Sequence, residues 1–240
     1  MVNNTGSGTK LIDVSGLQAW YGDSHVLHGV NLNVSKGELV TILGRNGAGK
    51  TTTLRSLIGL MSKKRGSIKI RGEEAIGYSP TAIARLGLAY CPEERGIYKS
   101  LSVEENLYLP PKLRDGGFSA EEIFDLFPNI RERLASRGTN LSGGEQQMLA
   151  IARILRTGAE VLLLDEPTEG LAPVIVKQIE RAIALLKQRG FTIVLVEQNH
   201  RFAQRVADRH YVMESGVVVD EFDSERIKRD WDQVTRYLSV

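Results

Sequence analysis

The run Leu39-Val40-Thr41-Ile42-Leu43 is apolar and rich in β-branched residues, and Gly44-Arg45-Asn46-Gly47-Ala48-Gly49-Lys50-Thr51 follows it without a break. Such a run reads as a strand buried on both faces, which calls for a parallel sheet covered by helices. The eight residues after it match G-x-x-x-x-G-K-[ST], and Thr51 to Leu60 then carries a helical pattern as far as Gly59. A chance match in a chain of this length is expected on the order of once in a hundred. The glycines let backbone N–H groups turn inward around a phosphate, and the start of the helix adds its favourable field. On this reading Gly44, Asn46, Gly47, Ala48, Gly49 and Thr52 shape the cradle. Lys50 reaches the β- and γ-phosphates of a nucleotide, and Thr51 offers its hydroxyl to Mg2+.

The rest of the chain supplies the sheet that this loop needs. Leu11 to Val14 and Val30 to Val34 alternate as half-buried strands, Ser67 to Arg71 is a short strand after a basic turn at Lys63-Lys64-Arg65, and Val161 to Leu164 and Thr192 to Val196 are further buried strands. A helix with Ile175, Ile179, Ile183 and Leu186 on one face and Gly190 at its end lies between the last two. From about Pro92 to Ile154 helical signals replace strand signals; Ser119 and Glu122 form a capping box there, after a loop marked by Pro110-Pro111 and Gly116-Gly117. This is the pattern of an α/β fold interrupted by a helical insertion at about residues 93–154, with residues 1–10 as a flexible tail, residues 11–240 as the folded domain, and Asp223 to Asp232 as an exposed charged helix.

Composition removes several classes of partner. Lys+Arg 31 against Asp+Glu 29 leaves a net charge of +2, which argues against nucleic acid as a ligand. The single cysteine, Cys91, forms no intrachain disulfide and fits a reducing compartment. No apolar run approaches the roughly 20 residues of a membrane-spanning helix, and Met1 to Lys10 lacks the apolar core of a signal peptide. The expectation is a cytosolic protein without its own membrane span.

Two further motifs carry chemistry. Val161-Leu162-Leu163-Leu164-Asp165-Glu166 is a buried strand ending in two acids: Asp165 is placed to anchor Mg2+, and Glu166 to polarise an attacking water as general base. Leu141-Ser142-Gly143-Gly144-Glu145 opens a helix about twenty residues earlier. Ser142 and Glu145 form a capping box, but capping gives no reason for two glycines in the first turn, where they weaken a helix. A second helix terminus facing a phosphate gives that reason.

With the phosphate loop, LSGGE at 141–145 and LLLDEP at 162–167, entered from Val161, in this order, the chain resembles the nucleotide-binding subunits of ABC transporters. The resemblance implies a P-loop NTPase fold: a RecA-like core, an antiparallel β subdomain and an inserted helical subdomain. It implies ATP and Mg2+ as ligands, ATP hydrolysis as activity, and membrane permease subunits as partners. It also implies a head-to-tail pair with a second such ATPase, the same or different, in which the phosphate loop of one chain faces Ser142, Gly143, Gly144 and Glu145 of the other. By the same resemblance Tyr21 stacks on adenine, and Gly170-Leu171-Ala172-Pro173 contacts the opposite subunit.

Two positions depart from the family pattern. Glu93 stands where a glutamine joins the helical lobe to the core, and a carboxylate there can still reach Mg2+. Gln198, in Val196-Glu197-Gln198-Asn199, stands where a switch histidine senses the γ-phosphate, and its amide can still donate a hydrogen bond. His200, two residues on, is the alternative switch, although it also suits the start of a helix. These departures, with Leu101-Ser102-Val103-Glu104-Glu105-Asn106-Leu107, are similar to the shorter ATPase subunit of branched-chain amino acid importers. The expected role is to power such an importer from the inner face of the plasma membrane, the segment from Glu93 to about Leu107 meeting the permease. A urea or short-amide importer, an exporter, and a soluble non-transport ABC ATPase stay open as alternatives.

Overall fold

A computed structural model describes residues 9–230. Among the described residues, ten strands and nine α-helices form two sheets and the helices around them. The central sheet has six strands in the order β10-β9-β3-β8-β7-β6. β3 (Leu39–Gly44), β6 (Leu88–Cys91), β7 (Val161–Asp165), β8 (Thr192–Glu197) and β9 (Arg209–Glu214) run parallel, and β10 (Val217–Asp223) closes one edge antiparallel to β9. The second sheet is antiparallel, order β2-β1-β4-β5, with β1 (Lys10–Tyr21), β2 (Ser24–Ser35), β4 (Lys63–Ile70) and β5 (Glu73–Glu74).

The two-residue period of the central strands divides the core into two faces. Leu162, Leu164, Ile193 and Leu195 face one way, into a cluster with Met148, Ile151 and Leu155 of α6 (Gly143–Leu155) and Ile179, Ile183 and Leu186 of α7 (Pro173–Gln188). Val161, Leu163, Val194 and Val196 face the other way, against the antiparallel sheet and against Leu54 and Leu57 of α1 (Lys50–Leu57). Most residues of each buried run, β3, β7 and β8, are apolar because both of its faces are covered; the buried polar exceptions are Thr41 and, at strand ends, Asp165, Thr192 and Glu197. α2 (Pro80–Arg85), capped by Ser79, leads into β6.

Between β6 and β7 lie α3 (Val103–Tyr108), α4 (Ala120–Leu126), α5 (Pro128–Glu132) and α6, with one 3-10 turn at Gly138–Asn140. Ser102, Ser119 and Ser142 each cap a helix through a complete capping box. Val103, Leu107, Ile123 and Phe127 join the same cluster as the sheet face, so the inserted helices share their core with the sheet they rest on.

Four local expectations need correction. Lys63-Lys64-Arg65 is the first part of β4 and not a turn, pairing with Trp20, Ala19 and Gln18 of β1. The strand keeps these charges because Lys63 and Arg65 are exposed, both 5.8 Å from the Trp20 ring centre, while half-buried Lys64 donates to Met61 O at 3.1 Å. β1 and β2 are much longer than their alternating cores, because a bulge near Gly16 carries the pairing past the break in pattern. Lys10, placed in the tail, is the first residue of β1; residues 1–8 lie outside the described residues. The charged C-terminal helix is α9 (Ser224–Arg229), and it is not wholly exposed: Ile227 is buried against Phe222, while Asp232 lies outside the described residues.

Candidate nucleotide site

α1 begins without a side-chain cap. Gly49 occupies the cap position with φ 104°, a left-handed backbone that favours glycine, and a Cβ there would lie 2.7 Å from Leu27 Cδ2. The first N–H groups of an α-helix have no partner within it, so this terminus presents donors to an anion. In front of it lies a cleft of about 330 Å³ lined by Asn46, Gly47, Ala48, Gly49, Lys50, Thr51, Thr52, Glu93, Glu166, Glu169 and Gln198, with Val26 at its side. Of the phosphate-loop residues expected to shape the cradle, only Gly44 stands back from the lining, at the end of β3.

The charged side chains here are held by one another. Lys50 Nζ donates to the carbonyls of Gly44 (2.9 Å) and Arg45 (3.2 Å) and lies 3.3 Å from Glu166 Oε1, with both side chains buried. Gln198 Nε2 donates to Glu166 Oε2 at 2.5 Å. Glu166 adopts φ 45°, a strained conformation for a residue with a Cβ, and its N–H donates to Val196 O at 2.9 Å. The backbone thus turns the carboxylate away from the line of β7 and into the cleft.

Asp165 ends β7 with Thr51 Oγ1 donating to Oδ1 (3.0 Å) and the Tyr90 hydroxyl donating to Oδ2 (2.8 Å). Burial raises its carboxyl above the usual range, against the lowering effect of those two hydrogen bonds. Glu169 is also raised, first by a hydrogen bond with Glu166 and then by burial. The Thr51 hydroxyl and Asp165 carboxylate are hard oxygens beside the cleft, and Glu93 lines the same cleft. No group of three or more His, Cys, Asp or Glu able to hold a metal occurs among the described residues. Thr51, Asp165 and Glu93 form a partial oxygen set, which fits a cation such as Mg2+ that keeps water and phosphate oxygens among its ligands.

Other expected residues lie elsewhere. Tyr21, at the end of β1, is exposed and stands beside Arg55 of α1, outside the cleft lining. Ser142, Gly143, Gly144 and Glu145 are at the start of α6 and do not line the cleft of their own chain. The structure also supplies a reason for one of the paired glycines: a Cβ on Gly144 would lie 2.8 Å from Ile175 Cγ2 of α7. Packing therefore accounts for Gly144, whereas a Cβ on Gly143 would meet only the flexible tip of Arg95 at 3.2 Å. His200 is the first residue of α8 (His200–Val206), capped by Asn199, and does not line the cleft.

Sequence reasoning missed Tyr90, Glu169 and Val26. Tyr90 sits in β6, whose four residues are too short and too mixed to announce a strand. Its pairing beside Leu163 of β7 is what brings its hydroxyl to Asp165.

The ABC transporter family matches residues 27–169. The high-affinity branched-chain amino acid transport ATP-binding protein BraG of Pseudomonas aeruginosa is 43% identical over 212 residues, 85% of this chain and 88% of BraG. This chain belongs to the ABC transporter family. It is an ATPase of that family, whose members bind and hydrolyse ATP. The lipopolysaccharide export system ATP-binding protein LptB of Escherichia coli K12 is 34% identical, with 88% of this chain and 89% of LptB covered. Among solved structures, an ATP-binding subunit of an ABC transporter superposes with a TM-score of 0.79 at 30% identity, covering 95% of this chain and 99% of its own. The dimeric structure of a bacterial ABC transporter cassette gives 0.77 at 25% identity, covering 89% and 98%. The fold is that of an ABC ATPase cassette, with its antiparallel β subdomain.

Proposed function

We infer that this chain is the ATP-hydrolysing subunit of an importer for branched-chain or related amino acids. The observation that carries the substrate class is the 43% identity with BraG, against 34% with LptB over a similar share of the chain. No helix among the described residues is long and apolar enough to cross a membrane, so the pore is assigned to separate permease subunits and the chain to the inner face of the membrane. Exposed Tyr98, Tyr108 and Leu109, in and beside the segment from Glu93 to Leu107, form the surface assigned to the permease.

In the proposed reaction the free N–H groups at the start of α1 and Lys50 bind the phosphates. Lys50 exchanges its contacts with Gly44, Arg45 and Glu166 for phosphate oxygens, which releases Glu166. Glu166 then takes a proton of the water whose oxygen bonds to the γ-phosphorus as the bond from that phosphorus to the β-phosphate oxygen breaks, giving ADP and phosphate. Gln198, bonded to Glu166 in the free chain, turns its amide to the γ-phosphate. Thr51, Asp165 and Glu93 would hold Mg2+, which when bound supplies positive charge to the phosphate oxygens. Tyr21 is assigned to the adenine. Ser142, Gly143 and Glu145 lie away from the cleft of their own chain, which supports their facing the nucleotide of a second ATPase subunit, as in a dimeric cassette.

The test is uptake. Cells whose only copy of this chain carries Glu166→Gln are expected to lose accumulation of labelled leucine, isoleucine and valine, with the permease still assembled. Unchanged uptake, or loss of a different transport activity alone, overturns the substrate assignment.

A further inference from the structure

Glu197 ends β8 and is 2% exposed, yet the phosphate chemistry proposed above makes no use of it. No ion pair reaches it among the described residues. Instead three donors converge on its carboxylate. Oε1 accepts from the Thr168 hydroxyl at 2.6 Å and from the Thr168 N–H at 3.2 Å, and Oε2 accepts from the Asn199 N–H at 3.1 Å.

These donors belong to two different loops. Thr168 lies two residues beyond Glu166 in the loop leaving β7, and Asn199 lies one residue beyond Gln198 in the loop leaving β8. A side chain with two acceptor oxygens and no donor satisfies all three. An amide would not, because its NH2 would face an N–H. Burying a carboxylate without a cation is unfavourable, and burial pushes the Glu197 carboxyl up to about 7. A core position held for packing alone would be filled by an apolar side chain. Asn199 also caps α8, its side chain accepting from the Phe202 N–H at 3.1 Å, so the helix start is fixed with it.

We propose that Glu197 is a positioning residue that clamps the loop of Glu166 to the loop of Gln198, fixing the Gln198 backbone where its amide meets Glu166 at 2.5 Å in the free chain and can turn from there to the γ-phosphate. It acts through Gln198 and touches no reacting atom. The inference rests on the assignment of Gln198 as the γ-phosphate switch.

Steady-state ATP hydrolysis with Mg2+, equilibrium ATP binding and thermal unfolding of the full chain test this. Glu197→Gln is expected to lower kcat by about tenfold, as a misplaced group does, with KM for ATP within about twofold. Thr168→Val should lower kcat in the same sense, and the two together should be no slower than the slower single variant. In a Gln198→Ala background Glu197→Gln should change kcat less than about twofold, because the group it positions is gone. Wild-type kcat in Glu197→Gln, a loss confined to KM, or the full tenfold loss repeated in the Gln198→Ala background overturns the clamp. If Glu197→Gln does not fold, Thr168→Val alone and with Gln198→Ala decides by the same criteria. Gln198→Ala with wild-type turnover brings down the switch assignment and the clamp with it. A slow Gln198→Ala to which Glu197→Gln adds its own loss overturns the clamp and leaves the switch standing.

Discussion

Glu166 holds three features at once: a left-handed backbone, a 3.3 Å approach to Lys50 and a 2.5 Å hydrogen bond from Gln198. A strained, buried carboxylate with both oxygens engaged is suited to be released by phosphate binding at Lys50. Glu166→Gln preserves the shape and removes the basicity, so turnover should fall at least about a hundredfold while ATP binding persists. Turnover within a few fold of wild type, measured by phosphate release, would remove the residue from its role. Tyr90 works at the same scale by satisfying one oxygen of buried Asp165. Tyr90→Phe should cost about 1–2 kcal/mol in urea unfolding, and a change indistinguishable from zero would mean that water replaces the hydroxyl. The two acids were legible in the sequence because they end an apolar run. Tyr90 was not, because its partner is 75 residues away.

Between elements, the close approach of α6 and α7 at Gly144 separates two readings of the glycine pair. Alanine favours a helix over glycine by about 1 kcal/mol, yet a Cβ on Gly144 would press on Ile175. Gly144→Ala should therefore destabilise by about 1–3 kcal/mol, and adding Ile175→Ala should cost less than the sum of the two single changes. Gly143→Ala meets only the Arg95 tip and should leave stability unchanged or slightly raised, while ATP turnover falls because the proposed phosphate contact is crowded. Full turnover in Gly143→Ala would leave the pair with a packing explanation alone. The capping boxes at Ser119 and Ser142 were readable because they lie within four consecutive residues. The extension of β4 through Lys63-Lys64-Arg65 was not, since its pairing with β1 overrides a basic, turn-like run.

At the scale of the molecule, the start of α6 lies outside the phosphate cleft of its own chain, and the proposed head-to-tail pairing gives each chain two half-sites. The Glu166→Gln variant, unable to turn over, should sediment as a dimer with ATP and as a monomer without it; a monomer in both conditions contradicts the head-to-tail arrangement. A second prediction concerns pH. His210 is fully buried, bonded to Thr41 Oγ1 at 2.6 Å, and burial pushes its pKa from 6.5 down to about 4, against the raising effect of Asp208. The native state binds this proton less readily than the unfolded chain, so the contribution is fully present above about 6.5 and is lost as pH falls toward about 4. Urea unfolding should show about 2 kcal/mol less stability at pH 5 than at pH 7.5 from this group, and His210→Gln should lack that component. A variant whose pH profile runs parallel to wild type would contradict it.

The phosphate loop, the paired acids and the capped glycines were decided by the sequence alone, because each is a contiguous run whose local geometry follows from its own residue types. They were enough to indicate an α/β nucleotide-binding fold. The tertiary structure decided which of those residues share a cleft and what holds them there. The bonds Lys50–Glu166, Tyr90–Asp165 and Thr168–Glu197, and the contact Gly144–Ile175, join segments distant in sequence. No periodicity announces such pairs, since one hydroxyl or one carboxylate acquires its partner only when parallel strands bring their ends together.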